Sequence, residues 1–369
     1  MQAAGRALVL VAAGGTGGHL FPAEALAAAL AQRGAAVHLA TDRRAARYGG
    51  ALPDQAVHVV TSATLRGRGP IALARTAGML GIGLAQAWAL IGRLKPAAVI
   101  GFGGYPTLPP VLAASWRGVP TLIHDANAVI GRANRLLAPR VTAIATTFPD
   151  VFRGAPQLTA KATLTGNPVR PAVVAAAATP YPASAEPLRV LVFGGSQGAR
   201  IMADVVPAAV ERLESGLRAR LAVVQQARKE DVERVRSAYR SISVAAEVAA
   251  FFPDLPVRMA ASHLIVARSG ASTVAELSAI GRPAVLVPLP HALDQDQFAN
   301  AGVLENVGGA IRLVQEDFTP RRLATEIAAL AVPERLAVMA AAARSLGRLD
   351  AADRLAELVL KVAATSANQ

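Results

Sequence analysis

The run Arg6-Ala-Leu-Val-Leu-Val-Ala-Ala leads into Gly14-Gly-Thr-Gly-Gly-His19, and 180 positions later Leu188-Arg-Val-Leu-Val-Phe leads into Gly194-Gly-Ser-Gln-Gly-Ala199. Each is an apolar strand, a glycine turn and the start of a helix. Glycine lets the backbone approach a ligand closely, and a new helix offers unpaired N–H groups at the positive end of its dipole. Two such corners predict two nucleotide-binding halves facing one cleft.

Working outward, Val37–Thr41, Val57–Thr61, Ala97–Gly101, Thr121–His124 and Ala143–Thr146 read as strands, with helical segments such as Pro22–Gln32 and Leu108–Arg117 between them. The second half repeats the alternation with strands at Val190–Phe193, Ala222–Gln225, Ser243–Ala246, Leu264–Ala267 and Ala284–Pro288, and with helices starting at Ala199, Lys229, Thr273 and Gln297. Strand–helix alternation predicts an α/β protein with two Rossmann-like domains, each a parallel sheet covered by helices. The expected division is 1–166, 167–335 and a C-terminal helical segment 336–369 that packs back on the first domain. Pro171–Pro187 lacks an apolar period and reads as a linker or exposed loop. Pro333–Ala364 reads as one final helix.

The 369 residues are 53% apolar and 17% charged, which excludes a disordered chain and leaves room for two cores. With no cysteine there is neither a disulfide nor cysteine-ligated zinc, and a reducing cytoplasm is the natural setting. The N-terminus lacks the pattern of a secretory signal. A net charge of +13 asks for nucleic acid, an anionic membrane or phosphorylated substrates as partners, or reflects a bias toward arginine and alanine. Aromatics at 4%, without basic–aromatic interleaving, speak against a nucleic-acid binder. Thr76–Gly92 carries no charge, is shorter than the ~20 residues of a membrane span, and contains Gly78, Gly81 and Gly83. It reads as a core helix, or as a helix dipping into a membrane interface flanked by Arg66, Arg68, Arg75, Arg93 and Lys95.

The first glycine loop is not the dinucleotide fingerprint, because Leu20 stands where the third glycine belongs; this weakens a dehydrogenase reading in which Asp42 would bind ribose. His19 opens a helix, where the imidazolium is disfavoured, so a neutral ring could accept a proton from an alcohol; it also fits as a packing or capping residue. Ser196 in the second loop suits a diphosphate. Glu276 has two readings: the acid of a Thr273-x-x-Glu276 capping box, or an acceptor for both ribose hydroxyls. Asp294 and Asp296 have metal-bridging spacing, but Asp-Gln-Asp at a helix start reads more simply as N-terminal charge.

Gly14–His19, Gly101-Phe-Gly-Gly-Tyr105, His124-Asp-Ala-Asn-Ala128, Thr165-Gly-Asn-Pro-Val-Arg170, Gly194–Ala199, Arg268–Glu276 and Gln297–Asn300 occur in this order over nearly the whole chain. The ordered set resembles the peptidoglycan N-acetylglucosaminyltransferases that convert lipid I to lipid II. The resemblance implies a GT-B fold, UDP-N-acetylglucosamine as donor held by the C-terminal domain, and lipid I as acceptor; a helix dipole and an arginine can take the place a metal fills, so no metal or other cofactor is expected to be essential. It implies donor contacts from Thr16, Gly17, Gly18, Asn127, Arg170 and Ser196, with the backbone near Phe252 reading uracil. Ala271, Ser272, Thr273, Val274, Ala275 and Glu276 would line the nucleoside, with Glu276 on the ribose. Gln297 would hold sugar hydroxyls with Asn300 nearby, His19 is the candidate base, and Tyr105 and His124 would lie on the acceptor side.

The same resemblance implies a peripheral protein on the cytoplasmic face of a bacterial inner membrane. Its partners there would be anionic lipid and other cell-wall synthesis proteins, not nucleic acid. Asp125-Ala126 replaces the family's frequent Glu-Gln, and the loop after Tyr105 is unusually rich in proline. A UDP-sugar epimerase or a transferase with a soluble acceptor is the alternative on the same architecture.

Overall fold

The computed structural model describes residues 6–14, 17–43, 56–63, 69–182, 186–195, 198–290 and 295–367. The chain divides into two compact units: residues up to Arg170 together with those from Leu349, and Pro171–Arg348.

The first unit runs β1 (Leu8–Ala12), α1 (Gly17–Gln32), β2 (Ala36–Thr41), β3 (Val57–Val59), α2 (Pro70–Leu94), β4 (Ala98–Gly101), α3 (Leu108–Trp116), β5 (Thr121–Asp125), α4 (Arg132–Leu137), β6 (Ala143–Thr146), α5 (Pro156–Thr159) and β7 (Ala162–Leu164). The second runs α6 (Pro171–Ala176), β8 (Leu188–Phe193), α7 (Arg200–Glu211), α8 (Ser215–Ala219), β9 (Leu221–Gln226), α9 (Val232–Ser241), β10 (Ala245–Ala249), α10 (Leu255–Ala261), β11 (Leu264–Ala267), α11 (Ala271–Ile280), β12 (Ala284–Leu286), α12 (Asp296–Asn306), β13 (Ala310–Arg312), α13 (Pro320–Leu330) and α14 (Pro333–Ser345). The last helix, α15 (Ala351–Ala367), returns to the first unit.

The sheets have the orders β3-β2-β1-β4-β5-β6-β7 and β10-β9-β8-β11-β12-β13. Every described pairing is parallel. In each sheet the order reverses beside the strand that carries a glycine corner. Ligands of open α/β sheets bind at the carboxyl ends of the strands at such a reversal. β1 lies between β2 and β4, and β8 lies between β9 and β11.

Side chains alternate across β1. Val9 and Val11 join α1 and α15 in one core layer, through Leu26, Leu30, Leu355 and Val359. Leu10 and Ala12 join α2, α3 and α4 in the opposite layer, through Ile91, Val111 and Leu137. The second unit has its own core, which includes Val190, Val192, Met202, Val206 and Tyr239.

Three expectations change. The predicted final helix is two helices, broken around Gly347, where a Cβ would stand 2.6 Å from the Ser278 carbonyl oxygen. The predicted linker begins as α6, with Val173 buried. Beyond that helix, the fully buried Arg282 donates to the carbonyls of Thr179 (3.3 Å) and Pro180 (3.0 Å), and Arg344 donates to Ala177 (2.9 Å). This stretch is therefore fastened to the second unit. Finally, α2 has 25 residues and is not a buried core helix: Leu73, Ile82 and Trp88 are 58%, 56% and 42% exposed. By length and composition, Ala72–Leu94 is long and apolar enough to cross a membrane.

Candidate active site

In the first unit the glycine corner closes tightly. A Cβ on Gly14 would stand 3.0 Å from Pro106 and 3.3 Å from Thr41 Oγ1. Gly15 and Thr16 lie outside the described residues. Helix α1 opens with Gly17, Gly18 and His19, at the positive end of its dipole. The Phe21 ring covers Gly17, and the Arg170 guanidinium lies 4.7 Å from the centre of that ring. Arg170, distant in sequence, is thus brought to the start of α1. Its charge also opposes the burial that raises the pKa of Glu24.

His19 Nδ1 is buried without a hydrogen-bond partner. Burial holds the ring's pKa below 6.5, opposed by a hydrogen bond with the Phe102 backbone. The ring rests on the loop after β4, where Gly103 and Gly104 have φ of 87° and 74°. Tyr105, half-buried, begins the 3-10 turn that follows.

His124, the next-to-last residue of β5, is wholly enclosed. A ring nitrogen, Nε2, lies 3.0 Å from the Gly166 carbonyl oxygen, and the ring packs on Phe102 at 5.2 Å between centroids. Burial, helped by the nearby His19, pushes its pKa down to about 4. Asp125, buried beside it, gathers the loop that carries Asn127. One carboxylate oxygen accepts the Asn127 N–H (3.1 Å), and the other accepts from the Gly131 N–H (2.9 Å) and Asn134 Nδ2 (3.0 Å). The shorter acid therefore has a definite set of partners. Asn134, which also donates to the His124 carbonyl (3.0 Å), was not visible in the sequence because nothing local marks it. In the same unit a cavity of about 1460 Å³ opens at the ends of β2 and β3, lined by Asp42, Arg43, Thr61, Arg75, Met79 and Gln86 among others.

In the second unit, a Cβ on Gly194 would collide with the backbone of Ala199, so only glycine permits the turn; its N–H donates to Gln226 Oε1 (3.2 Å). Ser196 lies outside the described residues. Phe252 is buried under the Arg258 guanidinium at 4.4 Å. Gly270 caps α11. Ala271, Ser272 and Thr273 are the helix's first three residues, at the positive end of its dipole. The capping box does not form: Thr273 is the third residue of the helix instead of its cap, and Glu276 lies a turn further in, buried at 6% exposure. Val274 is core, and Ala275 is half-buried.

Arg268 donates through Nη1 to the carbonyls of Val287 (3.1 Å) and Pro288 (2.9 Å) and through Nη2 to Gln315. Gln297 is in the first turn of α12, its Oε1 accepting from the Leu289 N–H (3.0 Å). Asn300 is fully buried and donates to the Ser269 carbonyl at 3.3 Å. Asp296 accepts from the Gln297 N–H at 2.8 Å, as expected of charge at a helix start; Asp294, its suggested metal-binding companion, lies outside the described residues. Among the described residues no group of three or more His, Cys, Asp or Glu is placed to hold a metal.

Residues 9–146 match the glycosyltransferase family 28 N-terminal domain and residues 189–355 its C-terminal domain. The chain is 64% identical over 362 residues to the UDP-N-acetylglucosamine--N-acetylmuramyl-(pentapeptide) pyrophosphoryl-undecaprenol N-acetylglucosamine transferase of Rhodopseudomonas palustris (strain BisB18), covering 97% of this chain and 96% of that protein. It is 62% identical over 363 residues to the enzyme of the same name in Nitrobacter winogradskyi, covering 98% and 99%. Among solved structures it resembles Acinetobacter baumannii MurG with a TM-score of 0.79 at 29% identity, covering 96% of this chain and 99% of that one. Two parallel-sheet α/β units with these matches make the fold GT-B. The chain belongs to glycosyltransferase family 28, and within it to the N-acetylglucosamine transferases acting on undecaprenyl-linked muramyl pentapeptide.

Proposed function

We propose that this protein transfers N-acetylglucosamine from UDP-N-acetylglucosamine to the C4 hydroxyl of the muramyl sugar of lipid I, with inversion, giving lipid II. The observation that carries the reading is the 62–64% identity to enzymes of that name over nearly the whole chain. The two glycine corners at the reversal points of both sheets support it.

His19 takes the proton of the attacking hydroxyl. Its lowered pKa keeps the ring neutral and able to accept that proton. As the C4 oxygen bonds to the anomeric carbon, the bond from that carbon to the diphosphate oxygen breaks and UDP departs. The negative charge on the diphosphate meets backbone N–H groups of the glycine corners and Arg170. This set of donors does not require a metal. Glu276 accepts the ribose hydroxyls, the first turn of α11 lines the nucleoside, and Gln297 reads the sugar hydroxyls.

The exposed apolar face of α2, with Arg75 and Arg93 on the same helix, suits a peripheral seat on an anionic membrane, at the cytoplasmic face where lipid I is presented. The cavity beside α2 is of a size to take part of the acceptor.

The test is direct. Purified protein is incubated with UDP-N-acetylglucosamine and a detergent-solubilised lipid I analogue. The expected products are the disaccharide lipid and UDP in equal amounts. A 2-epimerised UDP-sugar without disaccharide would replace this reading with that of an epimerase.

A further inference from the structure

Ser269 follows β11 and is fully buried. Its hydroxyl donates to the carbonyl oxygen of Gln297 at 2.8 Å, across 28 residues of chain. Its own carbonyl accepts from Asn300 Nδ2 at 3.3 Å. One residue is thereby bonded twice to the first turns of α12, through its side chain and through its backbone. The Gln297 side chain is held from a second direction by the Leu289 N–H on its Oε1, which leaves the Nε2 hydrogens as the donors it can offer a ligand. The neighbouring Arg268 fastens the Val287–Pro288 backbone that leads to Leu289. The residues around Gln297 are therefore tied to the end of β11 by side-chain hydrogen bonds, and Ser269 makes the tie that reaches the backbone of Gln297 itself.

We infer that Ser269 is a positioning residue for sugar recognition: its hydroxyl sets the height and orientation of Gln297 against the hexosamine hydroxyls. This rests on the reading that Gln297 touches the sugar of the donor. A hydrogen-bonding side chain discriminates between epimers only if its backbone is held in one place, since a mobile amide accommodates either hydroxyl orientation. Fully buried and with its hydroxyl given to the Gln297 carbonyl, Ser269 acts through Gln297. Its effect belongs to the sugar and not to the uridine diphosphate, which is read by α11 and the glycine corner.

The experiment compares the affinity of UDP with that of UDP-N-acetylglucosamine, by calorimetry on the full-length protein, in Ser269→Ala, Ser269→Cys and Gln297→Ala. Cysteine preserves volume and weakens the donor, so it separates the lost hydrogen bond from a cavity. UDP binding serves as the control that each variant is folded. UDP affinity is expected to stay within twofold, while affinity for the sugar nucleotide falls about fivefold in both Ser269 variants, the scale of one net hydrogen bond. The preference for UDP-N-acetylglucosamine over its 4-epimer should narrow, and Ser269→Ala added to Gln297→Ala should cost little more than Gln297→Ala alone.

If Gln297→Ala weakens sugar-nucleotide binding and both Ser269 variants leave it unchanged, the inference is overturned and the role of Gln297 stands. If Gln297→Ala itself discriminates nothing between UDP and the sugar nucleotide, the reading of Gln297 fails and the inference falls with it. An equal loss of UDP and sugar-nucleotide affinity in the Ser269 variants would assign Ser269 to the general shape of the site, against the inference.

Discussion

The imidazole of His19 lies against Gly103 so closely that a Cβ on that glycine would stand 3.4 Å from its Cε1. With φ at 87°, the glycine holds a backbone conformation that other residues rarely adopt, and the ring takes the space a side chain would fill. His19 is therefore placed by a loop from another strand as well as by its own helix. Replacing it with alanine should lower kcat about 100- to 10,000-fold while UDP affinity stays within a few-fold. Single-turnover kinetics beside calorimetry would check this. In the wild type, the acid limb of the pH–rate profile should have its midpoint below 6.5, because burial lowers the ring's pKa.

His124 makes stability depend on acid. Its pKa is 6.5 in a solvated chain and about 4 when folded, so the unfolded state binds the proton more readily. Its contribution is fully present above pH 6.5, erodes as pH falls from 6.5 toward 4, and amounts to roughly 3 kcal/mol over that interval. Thermal unfolding of the wild type and of His124→Gln across this range should show a shallower slope in the variant. Parallel slopes would mean that other groups carry the dependence.

Two glycines of α2 should respond oppositely to the same change. A Cβ on Gly83 would fall 1.9 Å from the Thr61 carbonyl oxygen, so Gly83→Ala must push the helix off the end of β3. A loss of about 1–3 kcal/mol or more is expected. Gly78 has nothing within 4 Å of such a Cβ, and Gly78→Ala should gain about 0.5–1 kcal/mol from helix propensity. Denaturant melts of the two variants provide the comparison.

The exposed face of α2 predicts a membrane phenotype. Leu73→Asp with Ile82→Asp should reduce flotation with vesicles containing anionic lipid, and the melting temperature should hardly move, because both side chains are more than half exposed. Unchanged flotation would place the membrane contact elsewhere.

Glu276→Ala should weaken UDP binding about 10- to 100-fold if the carboxylate holds the ribose, the range for hydrogen bonds to a charged group. Deoxyribose and ribose diphosphates should then bind the variant alike.

Much of this was readable from local pattern. Apolar runs such as Leu188–Phe193, ending in glycines, identify the central strands, because a strand buried on both faces needs no alternation. What escaped depends on partners far away in the chain. Gln315 receives Arg268 from 47 residues upstream, and Asn134 reaches Asp125 through a folded loop. Glu276 was ambiguous because Thr273-x-x-Glu276 fits a capping box on paper; only the true start of α11 at Ala271 excludes it. The exposure of α2 was ambiguous for a similar reason, since an apolar stretch reads alike whether protein or lipid covers it.

Because α15 supplies Leu355, Ala356 and Val359 to the layer beneath β1, the first unit is discontinuous in the chain. A growing polypeptide emerges with the opposite end of that layer still unsynthesised, so the second unit has all its residues before the first does. The usual order of co-translational domain completion is thereby reversed. Until α15 has emerged, the α1 side of the sheet keeps an apolar strip uncovered, a window in which a chaperone would find this nascent chain.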